Sequence, residues 1–201
     1  MMTQPRPTLA LSCLILLYVL TAAGCGSSPR ATFYTLAANA PAPSATAATP
    51  GPRISVASVS LPELVDRPQL VVRGEGPQVE LLELHRWAEP LKSGIARLIA
   101  IQLSGSITGA RVAVYPENAA LDADYQVHVD IQRFESLPDG VHLDALWTIR
   151  CLKGEPTRSG AVRLHEKVSD SGQDAIVSAY SRAVTALGMD ISRAFPATPP
   201  R

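Results

Sequence analysis

The chain carries no excess of either charge, with 18 lysines and arginines against 18 aspartates and glutamates in 201 residues. That balance argues against nucleic acid as a partner, because phosphate binding needs a basic surface. It gives no support to a polybasic membrane patch either. Cysteine is scarce. Of the three present, Cys13 and Cys25 fall in the first 25 residues, which leaves Cys151 alone in the remainder. A lone cysteine cannot close an internal disulfide, and no Cys-x-x-Cys or Cys/His spacing for zinc is present. At the end of an apolar strand pattern, Cys151 reads as a small buried residue. The familiar catalytic signatures are missing as well: no G-x-S-x-G elbow, no Walker loop, no G-x-G-x-x-G and no H-E-x-x-H. No catalytic residue is therefore assigned, and no cofactor is expected.

What is present begins with an uncharged run from Thr8 to Ala23, whose centre is Leu14 to Leu20. Arg6 stands before it, and Ala22-Ala23-Gly24 lead to Cys25. A basic start, a short apolar stretch and small residues before a cleavage point describe an export signal. The run is shorter than the roughly 20 residues a helix needs to cross a bilayer. Cysteine directly after small residues is the arrangement of bacterial lipoprotein signals, in which the thiol takes a diacylglyceryl group and the peptide is cut before it. Ala22 stands where leucine is usual. The expectation is a signal over residues 1–24, a covalent lipid on Cys25 and a polar tether over 25–30. Gly26, not aspartate, follows the cysteine, which in a bacterium with two membranes points to the outer one. An ordinary secretory signal and an uncleaved anchor are the alternatives.

Removing residues 1–24 from the 201 leaves 177, with 17 basic and 18 acidic side chains, enough for one domain with a sizeable core. The domain is expected over 31–196, with 197–201 as a frayed tail. Ala31–Leu36 is rich in strand formers, and the Ala/Pro/Ser/Thr stretch 37–52 is too simple to build a core and reads as a loose loop. Strands are predicted over 54–59, 69–73, 78–84, 111–116, 125–134, 141–151 and 160–168. Pro90 suits the first position of a helix, and Leu91, Ile95, Leu98, Ile99 and Leu103 recur at helical spacing. A second helix is predicted from Asp174 to Phe195 with Ile176, Tyr180, Val184, Leu187 and Ile191 on one stripe, and Ser171 with Asp174 resembles a capping box. In the strands over 125–134 and 141–151 odd positions are apolar and most even ones polar, although Leu146 breaks the pattern; one face should be buried and the other largely solvated. The predicted fold is an α+β two-layer sandwich: a mostly antiparallel or mixed sheet with both helices packed on one face.

Two constellations merit weighing as chemistry. His128/Asp130 and His142/Asp144 form paired His-x-Asp steps on adjacent strands, all at even positions and so on one outer face. They could gather a divalent metal. The reading preferred is ordinary His–Asp contact across a solvated face, because the register between the strands is undetermined. The other is His85-Arg86-Trp87-Ala88-Glu89. It could place an acid/base group beside an aromatic wall, but no second catalytic partner is identifiable. The structural alternative packs Trp87 into the core while Arg86 and Glu89 fix the chain where the helix begins.

Several stretches together resemble one family. Tyr34-Thr35-Leu36, the run Asp66-Arg67-Pro68 to Arg73, Arg86-Trp87-Ala88-Glu89-Pro90-Leu91, Ala123 to Val127 and Leu143-x-Ala145-x-Trp147 occur in its order. The chain resembles the auxiliary lipoproteins of ABC-type intermembrane transport systems, the PqiC-like membrane-integrity lipoproteins, over nearly its whole length after Cys25. The resemblance implies a non-enzymatic outer-membrane lipoprotein on the periplasmic face, held by its lipid. It implies docking to an MCE-domain protein and that protein's permease and ATPase, as a single copy or as a homo-oligomeric ring, in support of envelope integrity. Asp66, Arg67, Pro68, Arg86, Trp87 and Glu89 are the residues it marks as partner-facing or structural. A structural or assembly lipoprotein without a transport role, and a periplasmic lipoprotein hydrolase, are the competing classes. Neighbouring genes for an MCE protein, a permease and an ATPase would favour transport.

Overall fold

The chain divides into two compact units, Met1–Arg30 and Ala31–Arg201. The computed structural model describes residues 29–37, 51–154, 156–170 and 172–195, and the fold below is that of the second unit. The signal over 1–24, Cys25, most of the 37–52 stretch, Ser171 and the tail 197–201 lie outside the described residues.

The described elements run β1 (Thr32–Tyr34), β2 (Arg53–Ser60), β3 (Gln69–Arg73), β4 (Val79–Trp87), α1 (Leu91–Ser106) and β5 (Arg111–Val114). A short 3-10 turn at Asn118–Ala120 leads to β6 (Tyr125–Leu137), β7 (Gly140–Cys151), β8 (Arg158–Glu166) and α2 (Gln173–Arg193). All eight strands join one mixed sheet organised by the long strand β6. One edge of β6 pairs antiparallel with β7 along its length, and β7 pairs antiparallel with β8. Elsewhere β6 meets two parallel partners in succession. Its first half pairs with β2, which carries β5, and Val72 of β3 bridges Ser136 near its end. β3 leads on to β4 (antiparallel) and β1 (parallel).

The predicted alternation explains which face is covered. Tyr125, Val127, Val129 and Ile131 on β6, and Val141, Leu143, Ala145, Trp147, Ile149 and Cys151 on β7, are buried. An irregularity between Ile131 and Arg133 shifts the phase by one residue, so that Phe134 and Ser136 turn inward. Such a bulge is the ordinary way one strand changes which side chains it buries. Leu146, the residue out of pattern, lies on the open face opposite Asp130 and Ala161.

Both helices cover the apolar side, α1 over β2 and β5, α2 over β7 and β8, and the two pack against each other. Leu91, Ile95, Leu98, Ile99 and Leu103 of α1 are all buried, as are Tyr180, Val184, Leu187 and Ile191 of α2. Each such leucine or isoleucine removed from water contributes about 1.5–3 kcal/mol. Ile176 is only half-buried at the helix start. The cap of α2 also differs from expectation: Gly172 occupies the N-cap and no side chain caps the helix. Pro90 is likewise the N-cap of α1, one position before the first helical residue. Its missing N–H costs nothing at either place.

Trp147 shows why its strand reads as it does. A Cβ at Gly160, directly across on β8, would lie 2.4 Å from the indole, so only glycine lets the ring lie flat over that strand. The indole Nε1–H donates to Asp190 of α2 at 2.8 Å, tying helix to sheet.

Asp124 fastens the bottom of the sheet. Its carboxylate accepts from the Arg53 backbone N–H at 3.0 Å, from Arg53 Nε and Nη2 at 3.3 and 3.1 Å, and pairs with Lys153 Nζ at 3.0 Å. The starts of β2 and β6 and the residues after β7 are thereby joined. The Arg53 side-chain hydrogen bonds first, with its backbone N–H and Lys153, hold the carboxyl well below the usual carboxylate range. A carboxyl depressed in the fold stabilises it above its unfolded value, about pH 4, and that contribution fades as pH falls further. Asp124→Asn should therefore cost about 1–2 kcal/mol at neutral pH, the half-exposed cations limiting the loss. The variant should also lose less additional stability than the wild type below about pH 4. Urea unfolding at neutral and acid pH measures both.

Candidate functional site

Two of the stretches singled out in the sequence meet in space. The turn Val65-Asp66-Arg67-Pro68 leads into β3, and Trp87 ends the neighbouring strand β4. The Trp87 N–H donates to the Pro68 carbonyl at 2.7 Å, and the Ala88 N–H donates to the Tyr34 carbonyl at 2.8 Å. These bonds bring the turn, the end of β4 and the start of α1 round a cleft of about 340 Å³. Asp66, Arg67, Pro68, Trp87, Ala88, Glu89, Pro90 and Leu91 line it.

The cleft has an apolar wall and three charges of unequal status. Trp87 and Leu91 are buried, and with Pro68 and Pro90 they form the wall. Asp66 pairs with Lys92 Nζ at 2.6 Å, which fastens the turn to the first turn of α1. Glu89 pairs closely with Arg97 one turn further along the helix. Gly94 leaves room for that, since the Glu89 carboxylate would lie 3.3 Å from a Cβ there. Both acids thus have a cation of their own, in half-exposed pairs worth little to stability. Arg67 differs. Its Nε is buried and has no hydrogen-bond partner among the described residues. A buried donor left unpaired costs about 1–3 kcal/mol, so the Arg67 side chain would gain by turning its guanidinium to an arriving acceptor. The lining side chains include no hydroxyl, thiol or imidazole, and the arrangement suits recognition of an apolar group with a nearby negative charge.

Behind the cleft, Trp87 meets Tyr180 of α2 edge-on at 5.7 Å, and Tyr180 meets Phe134 of β6 at 4.4 Å. Burial, then the Glu135 carboxylate, push the Tyr180 phenol up, against a hydrogen bond from the Ser136 backbone. On the far side, β1 runs parallel to β4, with Tyr34 opposite Trp87 and its hydroxyl 2.9 Å from His85 Nδ1.

Of the six residues expected to face a partner or brace the fold, the structure brings five to this cleft. Arg86 is not among them. It points to the exposed side of β4, where Nη2 pairs with Glu83 at 3.2 Å and Nε donates to the Glu83 carbonyl at 2.8 Å. It therefore does not fix the start of the helix, because β4 continues through Trp87 and alternation sends residue 86 to the other face.

The four His-x-Asp residues do not assemble. In the β6/β7 register His128 lies opposite Thr148 and Asp130 opposite Leu146, whereas His142 faces Glu135 and Asp144 faces Arg133. The two pairs sit at opposite ends of the hairpin. His128 Nδ1 lies 2.9 Å from the Ser58 hydroxyl, and the Ser60 hydroxyl donates closely to Asp130, so both face β2 rather than β7. Neither a metal site of these four nor the expected His–Asp contacts between strands exists. His142 has instead joined Asp139 and His165, two residues that sequence reasoning passed over because β8 supplies one and the hairpin turn the other. Cys151 is buried and free, as its strand position implied.

The family model for ABC-type transport auxiliary lipoprotein components matches residues 34–192. No curated protein matches the sequence. Among solved structures, an uncharacterized protein superposes with a TM-score of 0.65 at 19% identity, covering 82% of this chain and 98% of its own. Protein XCC0632 from Xanthomonas campestris, of the DUF330 family, superposes with a TM-score of 0.61 at 17% identity, covering 81% of this chain and 93% of its own.

Proposed function

Because the chain belongs to the family of ABC-type transport auxiliary lipoprotein components, we propose that it is a non-enzymatic outer-membrane lipoprotein, held by acylated Cys25, that docks from the periplasmic face onto the MCE-domain protein of an intermembrane lipid transporter. The permease and ATPase of that system are reached through the MCE protein, and the contact supports envelope integrity. The observation that carries the reading is the cleft. It gathers two of the five stretches that carry the family resemblance, Asp66–Pro68 and Trp87–Leu91, and it offers a single unpaired cation beside an apolar wall. The matching feature on a partner is an apolar side chain with an adjacent carboxylate.

Arg67→Gln tests this without disturbing the fold, because the Nε it removes has no partner to lose. It should leave stability unchanged or raise it slightly, because an unsatisfied buried donor is removed. Its effect on capture of the MCE-domain protein from detergent-solubilised envelopes should be a loss of about tenfold or more, since a desolvated charge pair would be broken. The measurement is quantitative pull-down with the full-length chain, the captured protein identified by mass spectrometry. Recovery of no MCE-domain protein by the wild type would overturn the reading.

A further inference from the structure

The hairpin turn between β6 and β7 carries a second group of functional side chains, far in sequence from the cleft residues. His142 on β7 and His165 on β8 are directly opposite each other on the open face. Their rings stack with centroids 4.4 Å apart and planes 20° from parallel. Asp139, in the turn, reaches the same end of both rings. His142 Nε2 lies 3.0 and 3.1 Å from the two Asp139 carboxylate oxygens, and His165 Nε2 lies 3.6 Å from Oδ2. His165 Nε2 also donates to the Asp139 carbonyl at 3.0 Å. The turn is built for this approach. Gly140 has φ +145°, and a Cβ there would lie 2.5 Å from the Glu166 carbonyl and 2.7 Å from His165 Nε2.

We propose that Asp139, His142 and His165 form a binding site for a divalent transition-metal ion of the zinc class. Zinc bonds of about 2.0–2.2 Å to imidazole and carboxylate place tetrahedral ligand atoms about 3.3–3.5 Å apart. The Nε2–oxygen separations of 3.0–3.6 Å bracket that spacing, and the two stacked imidazoles would turn from their near-parallel arrangement so that both Nε2 lone pairs converge on one ion. In the metal-free arrangement the two Nε2 protons lie between the imidazoles and the Asp139 oxygens. An ion takes their place once each ring carries its proton on Nδ1 and presents a lone pair at Nε2. Two nitrogens and one oxygen select a borderline ion over magnesium or calcium, which prefer all-oxygen shells.

Three protein ligands is the complement the surroundings allow. Glu135, opposite His142, is held by Arg73 at 2.9 Å and Arg133 at 3.2 Å. Glu166, beside His165, is held by Arg182 at 3.0 Å. The fourth position is left for water or for a group from another molecule.

The chain has four histidines, and the other two are controls, His85 with Tyr34 and His128 with Ser58. Isothermal titration of the purified full chain with zinc should show one equivalent bound. His142→Ala and His165→Ala should each weaken binding about tenfold or more, a ligand mattering at least as much as the outer groups that orient it. His128→Ala should bind as the wild type does, and a large excess of magnesium should not displace the zinc. Thermal unfolding of each variant without metal verifies that it is folded. The inference is overturned if the wild type takes up no zinc, if both single variants bind unchanged while folded, or if magnesium displaces the ion.

Discussion

Trp87→Ala is expected to lower the stability of the domain by about 3–5 kcal/mol, the range for deleting a buried large aromatic. Trp87 is only 7% exposed although it ends its strand, and it performs two tasks at once. Its edge contact with Tyr180, at 5.7 Å, continues into the Tyr180–Phe134 contact at 4.4 Å, so one ring chain joins β4, α2 and β6. Edge-to-face pairs add roughly 0.5–1.5 kcal/mol each beyond the area they bury, and truncation at one end removes one pair and loosens the other. Its backbone N–H, bonded to the Pro68 carbonyl, would survive the substitution, so the cavity would open into the cleft without freeing the strand. Total stability in domains of this kind is about 5–15 kcal/mol, and the loss would take a large share of it. Trp87→Phe should recover more than half. Chemical denaturation followed by far-ultraviolet circular dichroism measures both variants. A loss under about 1 kcal/mol for the alanine would show that the indole is not the core residue its burial implies. The same variant should weaken partner capture, but only Arg67→Gln separates docking from folding, because Arg67 Nε supports nothing in the domain.

The local features of this fold were legible in the sequence and the non-local ones were not. The buried stripe Leu91, Ile95, Leu98, Ile99, Leu103 follows from helical spacing alone, and the structure buries every one. Alternation likewise identified the buried sides of β6 and β7, because a period of two needs no knowledge of the partner strand. Register does need it. His128/Asp130 and His142/Asp144 share a face as predicted, yet the β6/β7 pairing sets Asp144 against Arg133 and leaves His128 beside β2. The group that does form draws on a turn and on β8, which no single-strand pattern connects. The parallel pairings β1/β4, β2/β5, β2/β6 and β3/β6 were equally hidden, since strands far apart in sequence make them. That is why the mixed form of the sheet could be stated only as one of two options. β4 is a third case. The predicted strand stops at residue 84, where the composition turns to mixed polar and aromatic types, but pairing on both sides, with β1 and β3, extends it through Trp87. The cleft itself was legible in pieces. Asp66-Arg67-Pro68 and Trp87–Leu91 were singled out separately, and it takes the β3–β4 pairing to make them one site.

Removing the acylated Cys25 should abolish membrane attachment of the mature chain, the largest effect expected of any single change here. Each buried CH₂ contributes about 0.8 kcal/mol, one acyl chain binds reversibly, and two or more make attachment effectively permanent. Among the described residues no helix is long and apolar enough to cross a membrane. The formal charge is balanced, so anionic lipid offers little attraction. A Cys25→Ser substitution would remove the thiol at which lipid transfer and cleavage act, and its unprocessed signal would itself hold the chain in the inner membrane. The clean comparison therefore places the sequence from residue 26 onward behind an ordinary secretory signal. That chain should appear in the soluble periplasmic fraction, whereas the wild type should sediment with the outer membrane and show an acylated N-terminal cysteine by mass spectrometry. The soluble chain should still capture the MCE-domain protein in vitro, with an affinity that Arg67→Gln reduces, because the cleft lies wholly within the folded unit. In cells it should fail to support the envelope, since docking would no longer be confined to one membrane. If the unacylated chain restored envelope integrity fully, the anchor would be dispensable and the proposed bridge between membranes would fall with it.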